Sequence, residues 1–169
     1  MISDQNNEAP PWETSPEWIC QRRIYRLIRD DRYDDAKIAI EDMRKEFPYL
    51  EPHDFIPFYA SIEKRLGNPE TSIQMLQQAA KEGPTRTSHH HTLGLALIDA
   101  ERWAEADLSF QEVIAICLAR DEFYYLNDAR YRRALCLKAL GRREELEKVK
   151  AALPDNFYND WWYRIEDVS

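Results

Sequence analysis

His90-His91-Thr92-Leu93-Gly94-Leu95-Ala96-Leu97-Ile98-Asp99-Ala100-Glu101-Arg102-Trp103-Ala104-Glu105-Ala106-Asp107-Leu108-Ser109-Phe110 is the stretch that decides the fold. Apolar residues recur at helical spacing on both sides of a short polar break at Glu101-Arg102. The two small residues, Gly94 and Ala106, sit where two helices joined by that break would cross closely. The segment therefore predicts a helix–turn–helix pair.

The same arrangement recurs along the chain. Steps of 34 and then 36 residues back from Ala106 reach Ser72 and Ala36, and a step of 40 forward reaches Leu146. The breaks recur as Asp30-Asp31-Arg32-Tyr33, Leu66-Gly67-Asn68-Pro69, Ala100-Glu101-Arg102-Trp103 and Leu140-Gly141-Arg142-Arg143. The close-approach position of each first helix carries Ile24, Ala60, Gly94 and Ala134, followed three residues later by Leu27, Glu63, Leu97 and Leu137. In the second helices Ile40, Leu76 and Phe110 follow the small position by four residues, and the fourth unit has Lys150 there. Prolines 48 and 84 fall where units end.

This pattern resembles the tetratricopeptide repeat, a helix–turn–helix unit of about 34 residues whose members stack because one pair cannot bury its apolar stripe alone. The third unit fits well, the second and fourth partly, and the first only through Tyr33-Asp34-Asp35-Ala36. The 40-residue step resembles the longer-helix variant of the repeat. The resemblance implies an all-α superhelix of about four repeats.

Composition is in keeping with this. The chain has 169 residues, 44% hydrophobic and 32% charged, enough for one domain with a real core. The net charge of −8 argues against a nucleic-acid partner, which needs a basic face. Cys20, Cys117 and Cys136 are scattered and odd in number, as buried thiols of a reducing compartment are. No secretory leader and no membrane-length apolar run is recognisable, so a cytoplasmic protein without a membrane partner is expected.

Residues 1–14 are expected to form a flexible arm, with Trp12 able to dock on the body or on a partner. The repeat domain is expected over 15–153. Ser15-Pro16-Glu17 starts its first helix, by a capping serine, a first-turn proline and an acid at the positive helix end. That helix carries Arg22, Arg26 and Arg29 on one face. They either pair with Asp30, Asp31, Asp34 and Asp35 or form a docking patch for an acidic partner. Further helices are expected at about 34–46, from Pro52-His53-Asp54 with Asp54 as cap, from Asn68-Pro69, from a cap within 85–88, from Trp103 to about Arg120, around 131–137, and at about 144–153. Pro57 is compatible with a helix only in its first turn. Residues 154–169, with Phe157, Tyr158, Trp161, Trp162 and Tyr163, are too aromatic for a loose end and are expected to cap the array, Phe157, Trp161 and Ile165 forming one helical stripe over Leu137, Leu140 and Leu153.

Chemistry is not signalled. The three neighbours His89, His90 and His91 cannot all chelate one ion, because each consecutive helical residue points about 100° away from the last. His90 is expected between helices, its neighbours outward or into the groove. Phosphate-loop, zinc-protease and nucleophile-elbow motifs are missing from the sequence. No catalytic residue, no metal and no cofactor is therefore expected.

In the resembled family, ligands usually lie in the concave groove lined by the first helix of each unit. Carried over by position, that groove comprises Trp18, Gln21, Tyr25 and Ile28; Asp54, Pro57, Ser61 and Lys64; Ser88, His91, Leu95 and Ile98; and Asp128, Tyr131, Leu135 and Lys138. One subfamily clamps a C-terminal carboxylate with Lys and Asn in the first unit. Here Gln21 and Tyr25 stand there, so that activity is not implied. The expected function is non-catalytic binding of a peptide or helix of a protein partner, as an adaptor or secretion-type chaperone. The alternatives are an inhibitor or immunity protein that neutralises a toxin, and, in another class, a hydrolase with an unrecognised site. Whether the aromatic tail fills the groove or a partner does stays open, as does the oligomeric state.

Overall fold

The computed structural model describes residues 15–154, 157 and 165–168. The expected arm with Trp12, and residues 158–163 of the tail, lie outside them. Eight α-helices are described: α1 Pro16–Arg29, α2 Tyr33–Glu46, α3 Pro52–Arg65, α4 Pro69–Glu82, α5 Thr87–Asp99, α6 Trp103–Arg120, α7 Leu126–Ala139 and α8 Arg143–Ala151. A 3₁₀ turn, Ile165–Val168, follows. No strand occurs among the described residues. The fold is the expected all-α superhelix of four helix–turn–helix units.

One turn geometry builds all four units. Asp31, Gly67, Glu101 and Gly141 adopt left-handed backbone, with φ of 58°, 86°, 57° and 70°. The amide after each of them bonds five residues back, Arg32 to Leu27, Asn68 to Glu63, Arg102 to Leu97 and Arg142 to Leu137, each at 2.9 Å. This double-bonded Schellman ending satisfies the last carbonyls of the first helix and reverses the chain within three residues. In three units the arginine that then starts the second helix pairs with an acid three residues on. These pairs are Arg32–Asp35 at 2.8 Å, Arg102–Glu105 at 2.7 Å and Arg142–Glu145 at 2.6 Å.

The first helices stack in series, α1 on α3, α3 on α5 and α5 on α7. The small or aliphatic crossing residues Ile24, Ala60, Gly94 and Ala134 are buried, as are Ala36, Ser72, Ala106 and Leu146 opposite them. The core runs through the array in three clusters, the first two of which straddle units. Ile24, Ile40, Met43 and Phe55 join the first two units. Leu76, Leu97, Phe110 and Val113 join the second and third. Tyr131, Leu137 and Leu146 close the fourth against Val168 and Phe157. At about 1.5–3 kcal/mol for each large side chain, such inter-unit burial is what stabilises the stack.

The long third unit takes its extra length mainly in α6, which has 18 residues where α4 has 14, a difference of four. Several local expectations are corrected. The cap of α3 is Glu51; Asp54 is its third residue and completes a reciprocal capping box. Pro57 lies buried inside α3, beyond the first turn, where its ring removes the bond to the His53 carbonyl. The cap of α5 falls within the expected 85–88, at Arg86, but makes no side-chain capping bond.

Candidate partner-binding groove

The inner faces of α1, α3 and α5 and the connection between α6 and α7 enclose a groove. Two cavities compose it, of about 540 Å³ and about 210 Å³, and both are bordered by Gln21, Tyr25 and Tyr125. The larger adds Trp18, Arg22, Phe123 and Tyr124. The smaller adds Asp54, Pro57, Phe58, Ser88 and His89.

Aromatic side chains give the groove its character. Arg22 stacks on Trp18 with its guanidinium carbon 4.5 Å from the ring centre. Tyr25 lies 5.1 Å from the Phe58 ring, and His91 lies 4.7 Å from Tyr125, which touches Tyr124 at 4.6 Å. Phe123 and Tyr124 remain 66% and 60% exposed, an unusual amount of aromatic area for a surface with no further purpose. Along α1, Arg22, Tyr25, Arg26 and Arg29 line an adjoining cavity of about 310 Å³. Arg29 pairs with Asp30, but neither Arg22 nor Arg26 pairs with a carboxylate among the described residues. The pairing expected for the whole stripe thus holds for Arg29 alone.

The expected groove residues divide between the two ends of the inner layer. Trp18, Gln21 and Tyr25 come together, joined by Asp54, Pro57 and Ser88. His91 stands behind Tyr125 and pairs with Asp128 at 2.6 Å. Ser61 donates its hydroxyl to the Pro57 carbonyl at 2.8 Å. Lys64 pairs with Asp99 at the far end of the layer, beside a separate cavity. Leu95 and Ile98 lean half-buried on the central core, and Leu135 on the last one. Lys138 borders a further cavity near Leu146. Ile28 and Tyr131 are not surface residues: they are 4% and 1% exposed. Ile28 sits in the first core cluster, and Tyr131 donates its hydroxyl to Asp167 at 2.8 Å beneath Phe157.

Position-by-position reading missed Phe123, Tyr124 and Tyr125, because they lie between helices and have no equivalent in the repeat. Their signal was in the sequence nonetheless: three successive aromatics in a connector have no single face on which all could be buried. The three histidines also diverge. His89, not His90, is the one packed between helices, with Nδ1 3.0 Å from the Ala79 carbonyl. His90 is half-buried, and its Nε2 donates to the Pro84 carbonyl at 3.0 Å.

No helix among the described residues is long and apolar enough to cross a membrane. No protein-family profile and no curated protein matches the sequence. Among solved structures, the chain is similar to the nearly identical TPR-like repeats of a putative kinesin light chain from Podosopora anserina. That match has 16% identity and a TM-score of 0.59, and covers 85% of this chain and 80% of that one. A variant form of the same repeats matches with 17% identity and a TM-score of 0.59, covering 78% and 72%. At these identities the likeness establishes the fold alone, which is that of TPR-like repeats.

Proposed function

We propose that the groove between α1 and the 123–125 connection binds an extended peptide or a helix of a protein partner, without catalysis. The observation that carries this reading is the exposed aromatic lining of a roughly 540 Å³ groove beside two cations, Arg22 and Arg26, that lack a carboxylate partner among the described residues. Aromatic and arginine side chains are the usual anchors of binding energy at interfaces. The fitting partner segment carries an apolar or aromatic anchor flanked by Asp or Glu. An adaptor or a secretion-type chaperone of the cytoplasm uses such a groove. The net charge of −8 supports a second reading, an inhibitor that masks a basic toxin, which would engage the acidic remainder of the surface.

A random peptide library selected on the protein tests the proposal. Enriched peptides are expected to combine an aromatic anchor with acidic neighbours, and Phe123→Ala and Arg22→Glu to weaken them by about tenfold or more, one lost anchor being worth roughly 1.4 kcal/mol. Basic peptides bound equally by both variants would replace the groove reading with the inhibitor reading.

A further inference from the structure

Three ligand-type atoms converge where α3 and α5 begin. Asp54 is held from both sides: its Oδ2 accepts from the Glu51 amide and from Arg86 Nη2, each at 3.0 Å. Its Oδ1 is left facing two imidazole nitrogens, His53 Nδ1 and His89 Nε2, each 3.5 Å away. His89 is 1% exposed. The Ala79 carbonyl against its Nδ1 can only accept, so Nδ1 carries the proton and Nε2 offers a lone pair. Burial also lowers the His89 pKa, which favours the neutral ring. His53 Nδ1 is buried and has no hydrogen-bond partner among the described residues. The three donor atoms lie within 4.8 Å of one another.

Gly83 makes room for this cluster. A Cβ there would stand 2.8 Å from His53 Cε1 and 2.9 Å from His89 Nδ1. Its φ of −115° suits any residue, so the position needs the missing side chain and not the backbone freedom.

We propose that His53, Asp54 and His89 bind one divalent transition-metal ion of the zinc class. In a tetrahedral site with bonds of about 2.0–2.2 Å, neighbouring ligand atoms stand roughly 3.3–3.6 Å apart. The two separations of 3.5 Å match that spacing and are long for hydrogen bonds. Two imidazoles with one carboxylate suit zinc and its neighbours; calcium and magnesium prefer all-oxygen sets. An Nδ1–H held by a backbone carbonyl is the usual way a ligating histidine is oriented, and Glu51 and Arg86 orient the carboxylate in the same manner. Asp54 and His89 border the smaller groove cavity, which has room for a water as fourth ligand. The ion would tie the second unit to the third at the floor of the groove.

Untagged protein, stripped with EDTA and dialysed, tests this by titration with Zn²⁺ in a calorimeter and with Co²⁺ by visible absorption. Expected are one Zn²⁺ per chain, a nitrogen- and oxygen-ligated cobalt spectrum, and a rise in melting temperature with zinc. His53→Ala, with its circular dichroism checked against the parent, is expected to weaken zinc by about tenfold or more, and His90→Ala to leave it unchanged. Lack of saturable binding at micromolar zinc would overturn the proposal. So would undiminished affinity in folded His53→Ala, loss of binding in His90→Ala, or a sulfur-to-cobalt charge-transfer band.

Discussion

Gly94 of α5 presents a bare Cα to the ring of Phe110 of α6, so close that a Cβ would stand 2.7 Å from Cζ. Phe110 is fully buried and is held from its other sides by the central core, so its ring has nowhere to withdraw. In an exposed helix, Gly→Ala usually stabilises by roughly 0.5–1 kcal/mol. Here the overpacking outweighs that gain. Gly94→Ala is expected to destabilise by about 1–3 kcal/mol and Gly94→Leu by more. Urea denaturation measures it, and an unchanged midpoint for Gly94→Leu would disprove the crossing.

The crossing was legible in the sequence because it is local: Gly94 and Phe110 belong to one unit, and the spacing of small and apolar residues within a unit reports which faces meet. The four turns were legible for the same reason. The groove was legible only at one end. Carrying positions from unit to unit assumes that every unit shows solvent the same face. Tyr131 breaks the assumption because the terminal turn covers it, and Ile28 because α2 and α3 close over it. The cluster of His53, Asp54 and His89 was not legible at all, because it joins the starts of two helices whose contact no local pattern encodes.

Asp107, 1% exposed, forms an ionic link between the third and fourth units. It accepts from Arg133 Nε, Arg142 Nη1 and Gln111 Nε2, each at 2.8 Å. Removing a buried charge from its partners costs about 3–5 kcal/mol, mostly because the survivors stay buried and unpaired. Arg142 is 41% exposed and keeps Glu145, so the expected cost of Asp107→Ala is nearer about 2–3 kcal/mol. A double-mutant cycle with Arg133→Ala should show a coupling of roughly 0.5 kcal/mol or more. Simple additivity would mean that the pair is ornamental.

Glu101 occupies the left-handed turn position that glycine holds in the second and fourth units. An L side chain there is strained by roughly 1–2 kcal/mol, partly offset by the greater freedom glycine has when unfolded. Glu101→Gly is expected to stabilise by about 0.5–1 kcal/mol, seen as a higher melting temperature with unchanged circular dichroism. A lower melting temperature would show that the glutamate carboxylate contributes more than its backbone costs.

The chain end was expected to cap the array, with Phe157, Trp161 and Ile165 as one helical stripe. Trp161 lies outside the described residues, as does the Ile165 side chain. Of the stripe, Phe157 is described and lies 5.9 Å from the Tyr131 ring; fully buried Val168 and Asp167, on the Tyr131 hydroxyl, add to the cover. Leu140, expected beneath the cap, is 37% exposed, so it loses little when the end is removed. The face at risk is Tyr131, Leu137, Leu146 and Val149, all buried in the last core cluster. A repeat array needs such a cover because its last pair has no neighbour. Cutting after Pro154 uncovers this face and removes Asp167 from the Tyr131 hydroxyl. At about 1.5–3 kcal/mol for each large side chain re-exposed, the loss approaches the roughly 5–15 kcal/mol stability of an ordinary domain. The truncated protein is expected to aggregate or to melt far lower. Val168→Asp, which places a charge in the same seat without shortening the chain, should reproduce most of the effect in a thermal melt. A truncated chain that stays monomeric with the parent melting temperature would refute the capping role and make the tail a candidate recognition element.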